Sequence, residues 1–255
     1  MPNTIERRHD IVQATLELGK VTVEGLAQRY GVSAVTIRSD LKILDQKGLL
    51  VRTRGGGMVR SPMVHELSIP EKTRKKNTTK QKLGQMAAGL VEEGNKIILD
   101  SGTTTAEVAN GLRGFRRLVV MTNGLNVAQN LVGAEGIELL MTGGTLRRKS
   151  MSFYGRHAEE SLYRLHFDKV FLGVDGFDFQ AGLTTHFEYE AILNRIMCEV
   201  SRETIAITDS TKFNQHGVHK ICPFGEINTL VTDSGIPDAY AQALESEGVR
   251  LMVCD

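Results

Sequence analysis

The segment Asp100-Ser101-Gly102-Thr103-Thr104-Thr105 combines residue types suited to holding an anion. It follows a strand-like apolar run and opens a helix-like one. Small side chains let the backbone approach closely. Hydroxyls and the free N–H groups of a helix start can then hold a phosphate, helped by the helix dipole. Other strand-like runs end in the same manner: Asn123 follows the second, Gly143 and Gly144 the third, Asp175 the fourth and Lys212 the fifth. Lys212 suits phosphate as a point charge. Asn123, Asp175, His186, Glu188 and Glu190 suit hydroxyls or an amino group on the same ligand. Ligands of open α/β sheets bind at the carboxyl ends of strands, so these residues are expected to share one effector site.

A second constellation lies near the N-terminus, with chemistry suited to a polyanion. Gly31 permits a sharp turn at positive φ, and Ser33 can cap the helix that follows. Along that helix Ile37, Leu41 and Leu44 share one face and should pack inward. Val35, Ser39 and Lys42 take the opposite face, flanked by Thr36 and Arg38. Short polar and basic groups at the start of such a helix can enter a major groove and reach base edges. Arg52 and Arg54, in a β-like stretch, suit phosphate or minor-groove contact. The predicted DNA contacts are therefore Ser33, Val35, Thr36, Arg38, Ser39, Lys42, Arg52 and Arg54.

The elements that must position these groups follow from periodicity. Helices are predicted over 5–18, 23–30 (capped by Thr22) and 34–47, the last stopped by Gly48. Residues 49–54 and 58–59 read as a small hairpin around a turn at Gly55-Gly56-Gly57. Residues 61–77 have no clean period, contain Pro62 and Pro70, and read as a linker. A helix is predicted over 78–91. Strands at 96–99, 118–121, 137–141, 169–174, 204–208, 229–232 and 250–253 then alternate with helices at 105–112, 126–132, 158–165, 189–200 and 238–247. That alternation implies βαβ units and a mostly parallel sheet. The expected architecture is a winged helix-turn-helix over 1–60, a linker over 61–78 and an α/β domain over 79–255 for effector binding and oligomerisation.

Composition narrows the class. The chain has 255 residues and a net charge of +1. The charge is uneven: residues 1–60 carry +4, residues 61–82 another +4, and the remainder −7. A basic front and an acidic rear place any nucleic-acid contact in the front. No apolar run is long enough to span a membrane, and there is no leader-like N-terminus, which points to the cytoplasm and away from membrane partners. The cysteines Cys198, Cys222 and Cys254 are odd in number and form no CxxC, which argues for reduced thiols and against zinc.

The stretch from Thr22 to Leu41, with Lys47-Gly48-Leu49 and Arg54-Gly55-Gly56-Gly57, resembles the winged helix of DeoR-type regulators. That family usually has Thr-Ile-Arg-Arg-Asp-Leu; this chain has Ser39 in place of the second Arg. The resemblance continues through Asp100 to Thr104, Thr122-Asn123, Gly143 to Arg147 and Asp209 to Lys212. It implies a sensor domain shaped like sugar-phosphate isomerases and deaminases, with a phosphorylated sugar as effector and no cofactor. Met141 to Arg148, Ser152 to Gly155, Phe171 to Asp175, Leu193 to Val200 and Thr211 to Asn214 resemble, more narrowly, regulators of amino-sugar uptake. These imply an amino-sugar phosphate. An enzyme of the isomerase class is the alternative, with Asp175 and Asp178 as paired acid and base. Such an enzyme would also need a Lys about ten residues on, and none occurs from Gln180 to Tyr189. The sequence therefore predicts no catalytic set and no metal site. It predicts a repressor that binds double-stranded operator DNA, self-associates as a dimer or tetramer, and answers to the effector.

Overall fold

The computed structural model describes residues 4–46, 49–58, 68–74, 78–215 and 217–255. The chain divides into two units, Met1–Val64 and His65–Asp255. The predicted end of the third helix at Lys47 and Gly48, the strand residue Val59, and residues 61–67 and 75–77 of the predicted linker lie outside the described residues.

In the first unit α1 (Thr4–Leu18), α2 (Val23–Tyr30) and α3 (Ala34–Gln46) surround a core of Ile11, Leu26, Ile37, Leu41 and Leu44. Thr22 caps α2 by accepting the N–H of Gly25 at 3.1 Å. Gly31 ends α2 in the left-handed region, φ 62°, and its N–H returns to Ala27. The hairpin differs from expectation. A strand before α2, β1 (Lys20–Thr22), joins β2 (Val51–Thr53) and β3 (Gly56–Met58) in the order β1-β3-β2. Gly56 and Gly57 are therefore strand residues, and the turn is at Arg54-Gly55. The reason is close packing: a Cβ on Gly56 would lie 2.0 Å from the Val21 carbonyl oxygen, and one on Gly57 would lie 3.0 Å from Leu41.

The second unit begins with α4 (Ile69–Arg74), inside the stretch predicted as a linker. Ser68 donates its N–H and hydroxyl to Glu71, at 2.8 and 2.6 Å, and starts the turn. The Ile69 side chain is buried, and its N–H reaches the Lys149 carbonyl at 2.9 Å. Aperiodic composition hid a helix too short to show a period. After it come α5 (Thr78–Ala88), β4 (Lys96–Leu99), α6 (Thr103–Leu112), β5 (Leu118–Thr122), α7 (Leu125–Leu131) and β6 (Ile137–Met141). Next are β7 (Thr145–Arg147), β8 (Ser152–Tyr154), α8 (Arg156–Leu162), β9 (Phe167–Gly173), β10 (Gly176–Asp178), β11 (Gly182–Thr185) and α9 (Glu188–Glu199). The chain closes with β12 (Ser201–Ile207), β13 (His219–Cys222), β14 (Thr229–Asp233), α10 (Asp238–Ser246) and β15 (Arg250–Cys254).

Seven of these strands form one wholly parallel sheet, in the order β15-β14-β12-β9-β4-β5-β6. Side chains alternate across it. Ile97, Leu99, Phe171 and Ile205 pack beneath α5, α6 and α7, whereas Ile98, Leu172 and Ala206 pack against α8, α9 and α10. The chain leaves β4 in one direction toward β5 and β6, and continues from β9 in the other toward β12, β14 and β15. The boundary between β4 and β9 is thus the topological switch point, beyond whose strand ends open α/β sheets bind their ligands. Two short antiparallel groups, β7-β8 and β10-β11-β13, were not predicted; their three- and four-residue strands lack the apolar run that makes β4 (Lys-Ile-Ile-Leu) readable. Cys198 of α9 and Cys222 of β13 are hydrogen-bond neighbours, and their contact raises the Cys222 thiol and lowers that of Cys198. Among the described residues, no helix is long and apolar enough to cross a membrane.

Candidate DNA-binding face and effector pocket

On α3 the predicted faces separate cleanly. Ile37, Leu41 and Leu44 are buried, while Arg38, Ser39 and Lys42 are exposed and Val35 is 71% exposed. Ser33 caps the helix by accepting the Thr36 N–H at 3.1 Å, and its hydroxyl also meets the Thr36 hydroxyl at 2.9 Å. Ser33 and Thr36 therefore set the helix start. An apolar residue as exposed as Val35, at that start, suits contact with a thymine methyl. Arg52 is exposed on β2, and Arg54 is exposed at the tip of the wing.

Sequence reasoning missed Asp40. Its carboxylate is 1% exposed and receives two charge-assisted bonds from α1, Arg7 Nε to Oδ2 and Arg8 Nε to Oδ1, both 2.7 Å. This clamp fixes α3 against α1. The signal was present: Asp40 stands three residues after Ile37, so a charge falls on the apolar face of the helix.

In the second unit, the loops after β4 and β9 bring Asp100 and Asp175 to the switch point. Gly102, at φ 151°, turns the chain into α6 without any side-chain cap, so the first-turn N–H groups face outward from the helix start. Lys80 of α5 donates to the Thr103 hydroxyl at 3.0 Å and adds positive charge there. Thr104 and Thr105 are buried, and the Thr105 hydroxyl turns back to the Gly102 carbonyl at 3.4 Å, so these two serve through the backbone. Asn123 is fully buried. It accepts the Ser101 N–H at 2.9 Å and donates to the Phe153 carbonyl at 3.4 Å, tying the anion loop to β8.

From β8 the polar chain continues. Ser152 donates to Glu190 Oε1 at 3.0 Å, and Arg147 approaches the same oxygen at 3.4 Å while lying 4.3 Å over the Phe187 ring. The Thr185 hydroxyl lies between Glu190 Oε2 at 3.3 Å and Asp175 Oδ2 at 3.2 Å. Lys72 of α4 completes the row, with Nζ 3.2 Å from Asp175 Oδ1. Three carboxylates thus converge: Asp100, Asp175 and Glu190. Burial pushes the Asp100 carboxyl well above its ordinary range, and the charges of Glu190 and Asp175 push it further, against the bonds from Ser101. Burial alone would raise Asp175 too, but Lys72, His186 and Lys212 more than offset this and hold its carboxyl below the usual value. His186 and Lys212 thus lie near enough to Asp175 to be felt by its carboxyl.

Other predicted residues have different placements. Glu188 is exposed at the start of α9, and Glu190, two residues on, is the one that turns inward. Gly143 and Gly144 adopt φ 64° and 104° in the turn before β7; a Cβ on Gly144 would lie 2.6 Å from the Tyr154 carbonyl oxygen, which gives it a packing role. Asp178 accepts the N–H groups of Gln180 and Ala181 at 2.9 and 3.0 Å and holds a turn, so it does not pair with Asp175 as an acid–base partner would. Arg147, Lys72, Lys80, Ser152 and Thr185 were not predicted as site residues; all but Lys80 lie on short elements that carried no periodic signal, and Lys80 stands on the predicted helix α5 as one of two lysines. A cavity of about 270 Å³ opens over β12 and β14, lined by Lys82, Ser210 and Thr211 as well as by Asp209, Asp233 and Asp255. None of the predicted effector residues lines it, and the candidate site stays at the switch point.

A winged helix-turn-helix with a basic, exposed recognition face, joined to a parallel α/β domain with a polar cluster at its switch point, is the architecture of a DNA-binding transcription regulator. Residues 7–62 match the DeoR-like helix-turn-helix domain, and residues 75–234 match the DeoR C terminal sensor domain. The chain belongs to the DeoR family. It is 46% identical over 98% of its length, and 94% of the relative's, to the "Putative aga operon transcriptional repressor" of Escherichia coli O157:H7. It is 31% identical to the HTH-type transcriptional repressor GlcR of Bacillus subtilis, over 98% of this chain and 96% of that one. Among solved structures, ribose 5-phosphate isomerase A of Methanocaldococcus jannaschii aligns with 52% of this chain and 53% of its own, at 18% identity and a TM-score of 0.39.

Proposed function

We propose that this protein represses a carbohydrate-utilisation operon in the cytoplasm and releases it when a phosphorylated sugar binds at the switch point. The observation that carries the reading is the pairing of two unlike ends in one crevice. The uncapped start of α6, with Lys80 beside it, suits a phosphate. Asp100, Asp175 and Glu190 suit the hydroxyls or ammonium of the group attached to it. An amino-sugar phosphate has both features, and the name of the 46% identical relative supports that choice. No cofactor or metal is assigned to the site. Asp178 is spent on a turn and cannot serve as the second member of an acid–base pair, so the pocket is read as binding without turnover.

One winged helix buries too little surface for high specificity, and the protein is taken to act as a dimer or tetramer on two half-sites. The effector can shift the DNA-bound population only by its differential affinity for the two states. The test is a thermal-shift screen of sugar phosphates, amino-sugar phosphates first, with the unphosphorylated sugars as controls. Stabilisation by the phosphorylated forms alone, with a matching fall in operator affinity, is the expected result. Equal stabilisation by unphosphorylated sugars would remove the phosphate from the assignment, and measurable isomerisation or deamination would replace the sensor by an enzyme.

A further inference from the structure

α4 has six residues, below the length at which a helix holds in water unaided. Its persistence depends on what it touches. Polar attachments reach beyond its own turn, among them Ile69 N–H to the Lys149 carbonyl at 2.9 Å and Lys72 Nζ to Asp175 Oδ1 at 3.2 Å. Both end on the wall of the candidate pocket, since Lys149 lies between β7 and β8, beside Arg147 and Ser152. Thr185 holds Asp175 Oδ2, and Lys72 holds Oδ1. A ligand donor that takes Asp175 Oδ1 therefore meets Lys72 there. If that donor is an ammonium, like charges oppose each other there.

We propose that effector and Lys72 exchange at Asp175: a ligand O–H or N–H donor takes Oδ1, Lys72 leaves, and α4 loosens. This rests on the reading of the pocket given above. Against the burial that raises the Asp175 carboxyl, the Lys72 charge is the strongest of those that lower it, so a donor that replaces Lys72 takes over its partner. The consequence follows from chain order. Ile69 stands five positions after Val64, where the DNA-binding unit ends. Loosening α4 lengthens the tether to that unit. A longer connection lowers the effective concentration at which a second winged helix meets its half-site.

The experiment uses the full chain with Lys72→Met, which keeps most of the aliphatic stem and removes the charge, and Lys72→Arg as the conservative control. Hydrogen exchange of 68–74 is measured, and calorimetry gives affinities for galactosamine 6-phosphate and galactose 6-phosphate. Lys72→Met should exchange faster than wild type without ligand, at a rate wild type reaches only when saturated. It should bind the sugar phosphate roughly three- to tenfold more tightly, the gain expected when a competing pair of modest strength is removed. Lys72→Arg should stay near wild type in both. A gain confined to galactosamine 6-phosphate assigns the exchange to an ammonium, and a gain for both sugars assigns it to a hydroxyl. Equal or weaker binding by Lys72→Met, or unchanged exchange of 68–74, overturns the proposal. If neither sugar phosphate binds wild type, the pocket reading fails by itself, and the exchange rate of Lys72→Met still decides whether Lys72 holds α4.

Discussion

Asp100 illustrates a residue kept for something other than stability. It is buried, its two hydrogen bonds both come from Ser101 to one oxygen, and two further carboxylates face it. Its carboxyl holds a proton to higher pH in the folded protein than in the unfolded chain. The stability it contributes is therefore complete below the ordinary value of 3.8 and is lost as pH rises toward the folded value. Asp100→Asn keeps an acceptor for Ser101 and removes the charge. Its melting temperature should exceed wild type by a few degrees, with a gap that widens as pH rises from 4 and then levels; calorimetry across pH measures it, and a gap that shrinks with rising pH contradicts the sign. The same variant should lose sugar-phosphate affinity. Asp40 is the opposite case, because both its oxygens are paired with Arg7 and Arg8. Asp40→Asn leaves a buried guanidinium unmatched and should cost about 3 kcal/mol in the winged-helix unit. Urea unfolding followed through the amides of α1 and α3 should register the loss.

At the scale of elements, the sequence made the long periodic pieces legible and left the short ones dark. The buried face of α3, the cap at Thr22 and the seven parallel strands could be read because each repeats over four or more residues. β1, β7, β8, β10 and α4 could not, and several residues that complete the pocket or support the wing sit on or beside such pieces: Arg147, Ser152, Lys72 and Val21. Gly56 shows the limit. Its composition suggested a turn, but its neighbour, the Val21 carbonyl, is 35 positions away, and only tertiary packing reveals it. Gly56→Ala should therefore disrupt the wing and weaken operator binding, whereas Gly55→Ala, with open space around it but a φ of 103°, should act through backbone strain alone. The start of α6 makes a matching test of the sensor. Thr103→Glu places a carboxylate where a phosphate would sit, so the variant should hold operator normally and fail to release it with sugar phosphate. Normal induction in that variant would move the phosphate elsewhere.

For the whole molecule, charge is partitioned as function would require. The first 60 residues carry +4 and residues 83–255 carry −7, so operator DNA is attracted to one part of the chain and repelled by the other. Arg38, Lys42, Arg52 and Arg54 are the exposed cations placed to meet it. Two protomers would bring about eight such groups, and if six to eight phosphates are neutralised the log–log slope of affinity against salt should be roughly −5 to −7. Operator affinity should then fall about a thousandfold or more between 50 and 200 mM salt. The slope also tests how the effector acts. If sugar phosphate separates two winged helices that otherwise bind together, the residual complex engages one half-site, and its slope should drop to about half. If the effector instead weakened each winged helix without uncoupling them, affinity would fall while the number of released counterions stayed nearly constant. Fluorescence anisotropy titrations at four salt concentrations, with and without saturating sugar phosphate, distinguish the two. A halved slope supports transmission through the tether, and an unchanged slope places the effect within the DNA-binding unit itself.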